Sequence, residues 1–258
     1  MRSKLKHMKK IYHLGLAIML LISVKVQAQT EVIQAIIKEA NENSQLEVLA
    51  HELLEGVGPR LVGSPQMQKA HNWAVSQYES WGITARNEQW GEWRGWERGI
   101  THIDMVSPWT RSLSGMQLAW SPSSPKGGAL GEVVVLPEFA DSVAFQKWLP
   151  TVKGKYVMIS APQVTGRPDY NWEKWATEKS FEKMKEDRSA SDIAWSERLR
   201  KTGKNRQALP LALEEAGALG VITSYWSRAF GANKIFSAST KKVPTVDLSL
   251  EDYGMLFR

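Results

Sequence analysis

Cysteine is absent from all 258 residues. Its absence excludes disulfide staples, thiolate catalysis, a cysteine-borne lipid anchor and any thiolate metal site, so stability has to come from burial. No apolar run reaches the roughly 20 residues that a membrane-spanning helix needs. No Gly-Lys-Ser/Thr ending completes a phosphate-binding loop either. Histidine is scarce, at five residues, and two of these, His7 and His13, fall in the first 28.

That first stretch has a basic start at residues 1–10, an apolar run at 14–24, and Val26-Gln27-Ala28 before Gln29. This is the pattern of a secretory signal peptide cleaved near Ala28, which implies a secreted or periplasmic protein. Met8-Lys9-Lys10 supplies an equally good basic start of its own. Residues 1–28 hold Arg2, Lys4, Lys6, Lys9, Lys10 and Lys25 and no acid, so the 33 basic residues fall to 27 against 27 acidic ones. The sequence pI of 9.4 therefore belongs to the leader, and neither nucleic acid nor a membrane is implied as a partner of the mature chain. A hydrophobic content of 43% suffices for one large core or two small ones.

The densest turn signal is Gly56-Val57-Gly58-Pro59-Arg60-Leu61-Val62-Gly63-Ser64-Pro65. Its glycines reach backbone angles closed to other residues, and Pro59 fixes its own φ while pushing Gly58 away from the helical region. The spacing predicts a helix stop, a short extended crossing and a helix start with Ser64 as N-cap and Pro65 at the first helical position. Upstream, Val32, Ile33, Ile36 and Ile37 share one face of a first helix that ends near residues 41–43. Ser44-Gln45-Leu46-Glu47 has the form of a capping box opening a second, with Leu46, Leu49, Leu53 and Leu54 inward. A third helix spans 64–81, with Trp73, Tyr78 and Trp81 read as core and Gly82 just past its end. His51 and His71 each stand alone on a helix and read as surface or packing residues.

Residues 83–90 read as a strand, and Trp90, Trp93 and Trp96 follow at intervals of three. Twelve tryptophans admit packing at a core or cleft rim, or a platform that stacks on sugar rings. His102-Ile103-Asp104 is a His-x-Asp whose two polar side chains face one way on a strand. A zinc site needs three or four protein ligands and a supporting shell, so the pair is rejected as a metal site. From residue 113 short strands alternate with turns, at 117–120, 131–136 and 155–160, with a helical piece at 145–149. A boundary is expected near Ser121. Residues 171–206 are strongly charged with mixed sign and read as an exposed helical excursion, not a nucleic-acid arm. Residues 209–224 read as helix, glycine stop and buried strand, 243–249 as an extended piece, and Ser249-Leu250-Glu251-Asp252 as a helix start.

The words Gly58-Pro59-Arg60-Leu61-Val62-Gly63-Ser64, then the helix to Trp81-Gly82, then Trp96-Glu97-Arg98-Gly99, resemble the N-terminal region of carboxypeptidase Q-like zinc exopeptidases in metallopeptidase family 28. Residues 121–249 are similar, more loosely, to the protease-associated domain that many of these enzymes carry. The resemblance implies an α/β fold: N-terminal helices and the first part of a zinc-exopeptidase α/β scaffold in 29–120, and an inserted β-rich protease-associated domain in 121–249. The charged excursion 171–206 belongs to that insert, and 250–258 would start a truncated catalytic domain. The resemblance gives Gly58, Pro59, Arg60, Gly63, Ser64, Trp96, Glu97, Arg98 and Gly99 structural roles.

It also implies two zinc ions acting on peptide substrates in the full-length parent, held by His, Asp and Glu residues beyond Arg258. The family's own His-x-Asp follows the protease-associated segment, whereas His102 and Asp104 precede it. No catalytic or metal-binding residue is therefore expected in this chain, which reads as the non-catalytic front part of an exported exopeptidase. The alternative is a secreted binding module that uses the Trp-rich surface for glycans or the protease-associated-like segment for protein partners. N-terminal sequencing of the exported protein should return a start near Gln29. A mature form that keeps residues 14–24 would refute the leader.

Overall fold

The computed structural model describes residues 31–258, so the leader expected at 1–28 lies outside the described residues. The chain falls into two compact units that part between Gly95 and Trp96.

In the first unit, residues 31–42 form α1, Leu46–His51 form α2, which runs on as a π-helical turn Glu52–Val57, and Pro65–Ser80 form α3. The start of α3 follows from local chemistry. Ser64 keeps extended backbone while its hydroxyl accepts the Met67 N–H at 3.2 Å, and Pro65 fills the first turn, where its missing N–H leaves nothing unpaired. The capping box expected at Ser44 does not form: Gln45 is the N-cap of α2 and makes no side-chain cap. Ser44 Oγ accepts only from the Leu46 N–H, at 3.4 Å.

Two of the leucines expected inward on α2 and its extension stay in solvent, Leu46 at 75% exposure and Leu54 at 57%. On α3, Tyr78 and Trp81 are exposed and pack on each other edge to face. Trp73 is held by a polar tie, its indole N–H donating to Glu52 at 2.8 Å. Among the described residues of this unit, only Val57, Ser64 and Ala70 are buried. Residues 83–90, expected as a strand, take no regular structure. A strand exists only where a neighbour supplies its ladder, and alternation alone does not provide one.

The second unit begins with two short antiparallel strands, β1 (Asp104–Met105) and β2 (Arg111–Ser112). There follow β3 (Gly115–Gln117), β4 (Glu132–Val135), α4 (Ser142–Trp148), β5 (Lys155–Met158), α5 (Asp169–Trp175), α6 (Glu178–Lys201), α7 (Ala208–Glu215) and β6 (Gly220–Thr223). The chain continues through β7 (Trp226–Ala229), β8 (Ala232–Asn233), β9 (Thr245–Leu248) and α8 (Leu250–Phe257). Five strands form one sheet in the order β3-β9-β6-β5-β4, parallel from β9 to β4, with β3 antiparallel at the edge. Because β3 pairs with β9, with Met116 opposite Asp247, the composition change near Ser121 falls inside this unit.

Period-two alternation divides the sheet between two cores. Val134, Val157 and Val221 stand side by side and face Phe145, Val152, Leu209 and Leu213. Val135, Met158 and Ile222 face the other way, toward Tyr253 of α8, Leu113 and Ile103. Helices therefore cover both faces, as parallel strands require.

The charged stretch packs along this unit rather than standing off as an excursion. Met184, Arg188 and Trp195 on one stripe of α6 are buried. The Trp195 indole donates to the Ile159 carbonyl at 3.1 Å, and Arg198 to the Leu136 carbonyl at 3.0 Å. The buried Arg188 guanidinium pairs with Asp169 and lies over the Trp226 ring. Phe145→Ala, at a side chain with 0% exposure, should cost about 3–5 kcal/mol in urea unfolding, and Leu46→Ala less than about 0.5 kcal/mol. Comparable losses in the two variants would contradict this distribution of burial.

Candidate functional site

Gly58, Pro59, Arg60, Gly63 and Ser64 build a turn that latches onto itself. Gly58 closes the π-helical turn at φ +80°. The Arg60 guanidinium folds back to donate to the carbonyls of Leu53 at 2.7 Å and Gly58 at 2.9 Å. It thereby satisfies backbone acceptors that a helix end leaves open. Lys69 does the same for Gly56, at 2.8 Å. Gly63, at φ +75°, lies against the backbone of residues 93–95: a Cβ on Gly95 would stand 2.6 Å from the Gly63 carbonyl oxygen. Two chain segments cross there with no room for a side chain.

Trp96, Glu97, Arg98 and Gly99 open the second unit. The Trp96 indole donates to the Ser121 carbonyl at 3.0 Å, and the Arg98 guanidinium lies 5.4 Å from the Trp96 ring centroid and contacts the Met116 sulfur. Burial holds the Arg98 guanidinium below its ordinary pKa. A Cβ on Gly99 would meet nothing within 4 Å, so crowding does not explain that glycine.

His102 and Asp104 are exposed, while Ile103 between them and Met105 beyond turn toward the core. Asp104 accepts from the Ser112 hydroxyl at 2.6 Å. His51 and His71 are exposed too. Among the described residues no three His, Asp or Glu side chains come together as a metal site. This donor set does not fit the zinc pair that the resemblance implies for the full-length parent.

The polar chemistry lies elsewhere, at the carboxyl ends of β5, β6 and β9. Asp247 is 2% exposed and accepts from the Thr223 hydroxyl at 2.8 Å, the Tyr225 N–H at 2.8 Å and the Asn233 amide at 2.5 Å. Burial pushes its carboxyl above the ordinary range, against the pull of those three donors. Just past β5, the Ser160 hydroxyl accepts the Ser224 N–H at 3.0 Å. The Tyr253 phenol accepts the Ser160 N–H at 2.8 Å and donates to its carbonyl at 2.7 Å. Burial raises that phenol far above its ordinary value. Beside this belt is a crevice of about 280 Å³ reached by Ser160, Ser224, Tyr225, Trp195, Lys204 and Arg206. Sequence reasoning singled out none of the belt residues as a site. The available signal was an acid inside the extended run Val243-Pro244-Thr245-Val246-Asp247-Leu248.

No protein-family model matches the chain. Carboxypeptidase Q of Mus musculus is 27% identical over 110 residues, and that of Rattus norvegicus 30% identical over 110 residues. Each match covers 43% of this chain and 23% of the relative, so the shared stretch spans under a quarter of those proteins. The crystal structure of a peptidase M28 precursor from Shewanella amazonensis SB2B shares the fold. It superposes on 90% of this chain and 47% of its own, with a TM-score of 0.52 and 20% identity.

The raised Asp247 pKa has a testable sign. A carboxyl that binds its proton more tightly in the folded chain contributes stability in full below the ordinary Asp value of about 3.9, and that contribution is lost as pH rises through the native value. Urea unfolding of the native chain across that interval should lose an increment that Asp247→Asn does not. The variant, with one carbonyl oxygen for three donors, should be less stable by about 1–3 kcal/mol at neutral pH. Parallel stability curves for the two proteins would contradict the assignment.

Proposed function

From a chain that is carboxypeptidase Q-like in sequence and peptidase M28-like in fold, we propose the non-catalytic front part of an exported, zinc-dependent exopeptidase that hydrolyses peptide bonds. The observation that carries this reading is the 110-residue match to carboxypeptidase Q. Residues Gly58–Ser64 and Trp96–Gly99 are structural in it, and 121–249 serve as a protease-associated-like domain. Two zinc ions, and the residues that hold them, belong to the rest of the parent, as does the hydrolysis of a peptide substrate. The protein is secreted or periplasmic, and among the described residues no helix is long and apolar enough to cross a membrane.

One observation favours a second reading, a secreted glycan-binding module. Trp90 and Trp93 are 83% and 59% exposed, with ring centroids 6.4 Å apart, and exposed indoles stack on sugar faces.

Zinc titration by calorimetry and a peptidase assay, run on the 258-residue chain and on a longer parent, separate these readings. The expected result is tight zinc binding and turnover in the parent, and neither in the chain. Turnover by the chain, or stoichiometric zinc binding lost in His102→Ala, would overturn its non-catalytic role. Oligosaccharide binding lost in Trp90→Ala, with no turnover in the parent, would favour the second reading.

A further inference from the structure

We propose that the crevice between the carboxyl ends of β5 and β6 and the amino end of α7 binds a small monocarboxylate carrying an apolar group. The proposal stands whether or not the parent is a peptidase.

The balance of donors and acceptors calls for an anion. Lys204 and Arg206 both reach the crevice, and the Arg206 guanidinium is kept there by the Tyr225 ring, 4.7 Å from its centroid. Asn205 between them uses its acceptor oxygen on the N–H groups of Gln207 and Ala208, at 3.0 and 2.8 Å. Only its amide donors are left to offer. Ser224 is 6% exposed and its hydroxyl is buried without a partner. Ser160, next to it, already accepts the Ser224 N–H. Among the described residues that line the crevice there is no carboxylate; Asp247, behind Tyr225, is held by three donors of its own.

The remaining lining calls for an apolar body. Trp195 uses its one donor on the Ile159 carbonyl and carries the Arg198 guanidinium over its ring, so what it offers the crevice is carbon surface with no free donor. Leu199 and Leu209 extend that surface. An inorganic anion would satisfy the cations and leave this wall wet, whereas an aliphatic or aromatic carboxylate covers both. The volume of about 280 Å³ limits the occupant to one small molecule or the last residue of a peptide. Free acid and peptide end share this chemistry, and the test distinguishes them.

The probes are N-acetyl-leucine, N-acetyl-leucinamide, acetyl-Ala-Ala-Leu with a free carboxylate, and inorganic phosphate. Each is titrated into the native chain and into a Lys204→Gln/Arg206→Gln double variant, with far-UV circular dichroism as the folding control. N-acetyl-leucine should bind saturably. Its affinity should fall at least about tenfold on amidation of its carboxylate, and by a similar factor in the double variant. Acetyl-Ala-Ala-Leu binding as tightly as N-acetyl-leucine identifies a peptide end as an acceptable source; binding of N-acetyl-leucine alone identifies a free acid. Absence of saturable N-acetyl-leucine binding, equal binding of the amide, tighter binding of phosphate, or an unchanged affinity in the folded double variant each overturns the proposal.

Discussion

Strand β6 is buried at all four of its residues, Gly220–Thr223, with β5 on one edge, β9 on the other and a packed core on each face. No water reaches it, so every polar atom there must find a protein partner or be replaced by carbon. Val221 and Ile222 meet the demand by alternating between the two cores. Gly220 meets it by having no side chain, since a Cβ would stand 2.8 Å from both the Pro244 carbonyl oxygen and the Tyr156 ring. Thr223 meets it through Asp247, and that contact draws Tyr225 and Asn233 into place at the end of the sheet. The polar belt thus follows from burying the strand.

The parts of this fold that were legible in the sequence are those governed by neighbours a few residues away. Ser64 and Ser249 cap their helices by accepting the N–H three residues on. Gly217 ends the α7 segment at φ +88° because left-handed backbone favours glycine. The strands β4, β5, β6 and β9 lie within the apolar runs that mark them. Burial was less legible, because it depends on what arrives from elsewhere. Leu46 and Leu54 have the spacing of an inward face and no partner to cover it. Met184, Trp195 and Leu199 are few among the charges of residues 171–206, yet they lie in one stripe against a sheet formed by distant segments. The belt was hidden for the same reason: Thr223 meets Asp247 only because β9 pairs with β6 across an intervening excursion.

That arrangement assigns different tasks to the two sets of residues. Of those carrying the family resemblance, Gly58, Arg60, Gly63, Ser64 and Trp96 act on backbone: they terminate or start a helix, allow a close crossing and anchor a loop carbonyl. Asp247 with its raised carboxyl, Tyr253 with its raised phenol and Ser224 with its unpartnered hydroxyl gather at the ends of β5, β6 and β9. α6 links the second set to the sheet, since Trp195 both ties to Ile159 and walls the crevice.

The crossing of Gly63 over Gly95 has a kinetic meaning. It joins two points separated by all of α3 and an irregular stretch, so its loop-closure entropy must be met before the contact gives anything back. With no side chain at either glycine, the contact has little apolar area to draw the ends together. The latch made by Arg60 is local and can close first, whereas the crossing can tighten only once α3 has shortened the distance. In this order the helix acts as the spacer that makes the crossing reachable, and perturbing its Ser64 cap would slow assembly of the first unit beyond its effect on the helix alone.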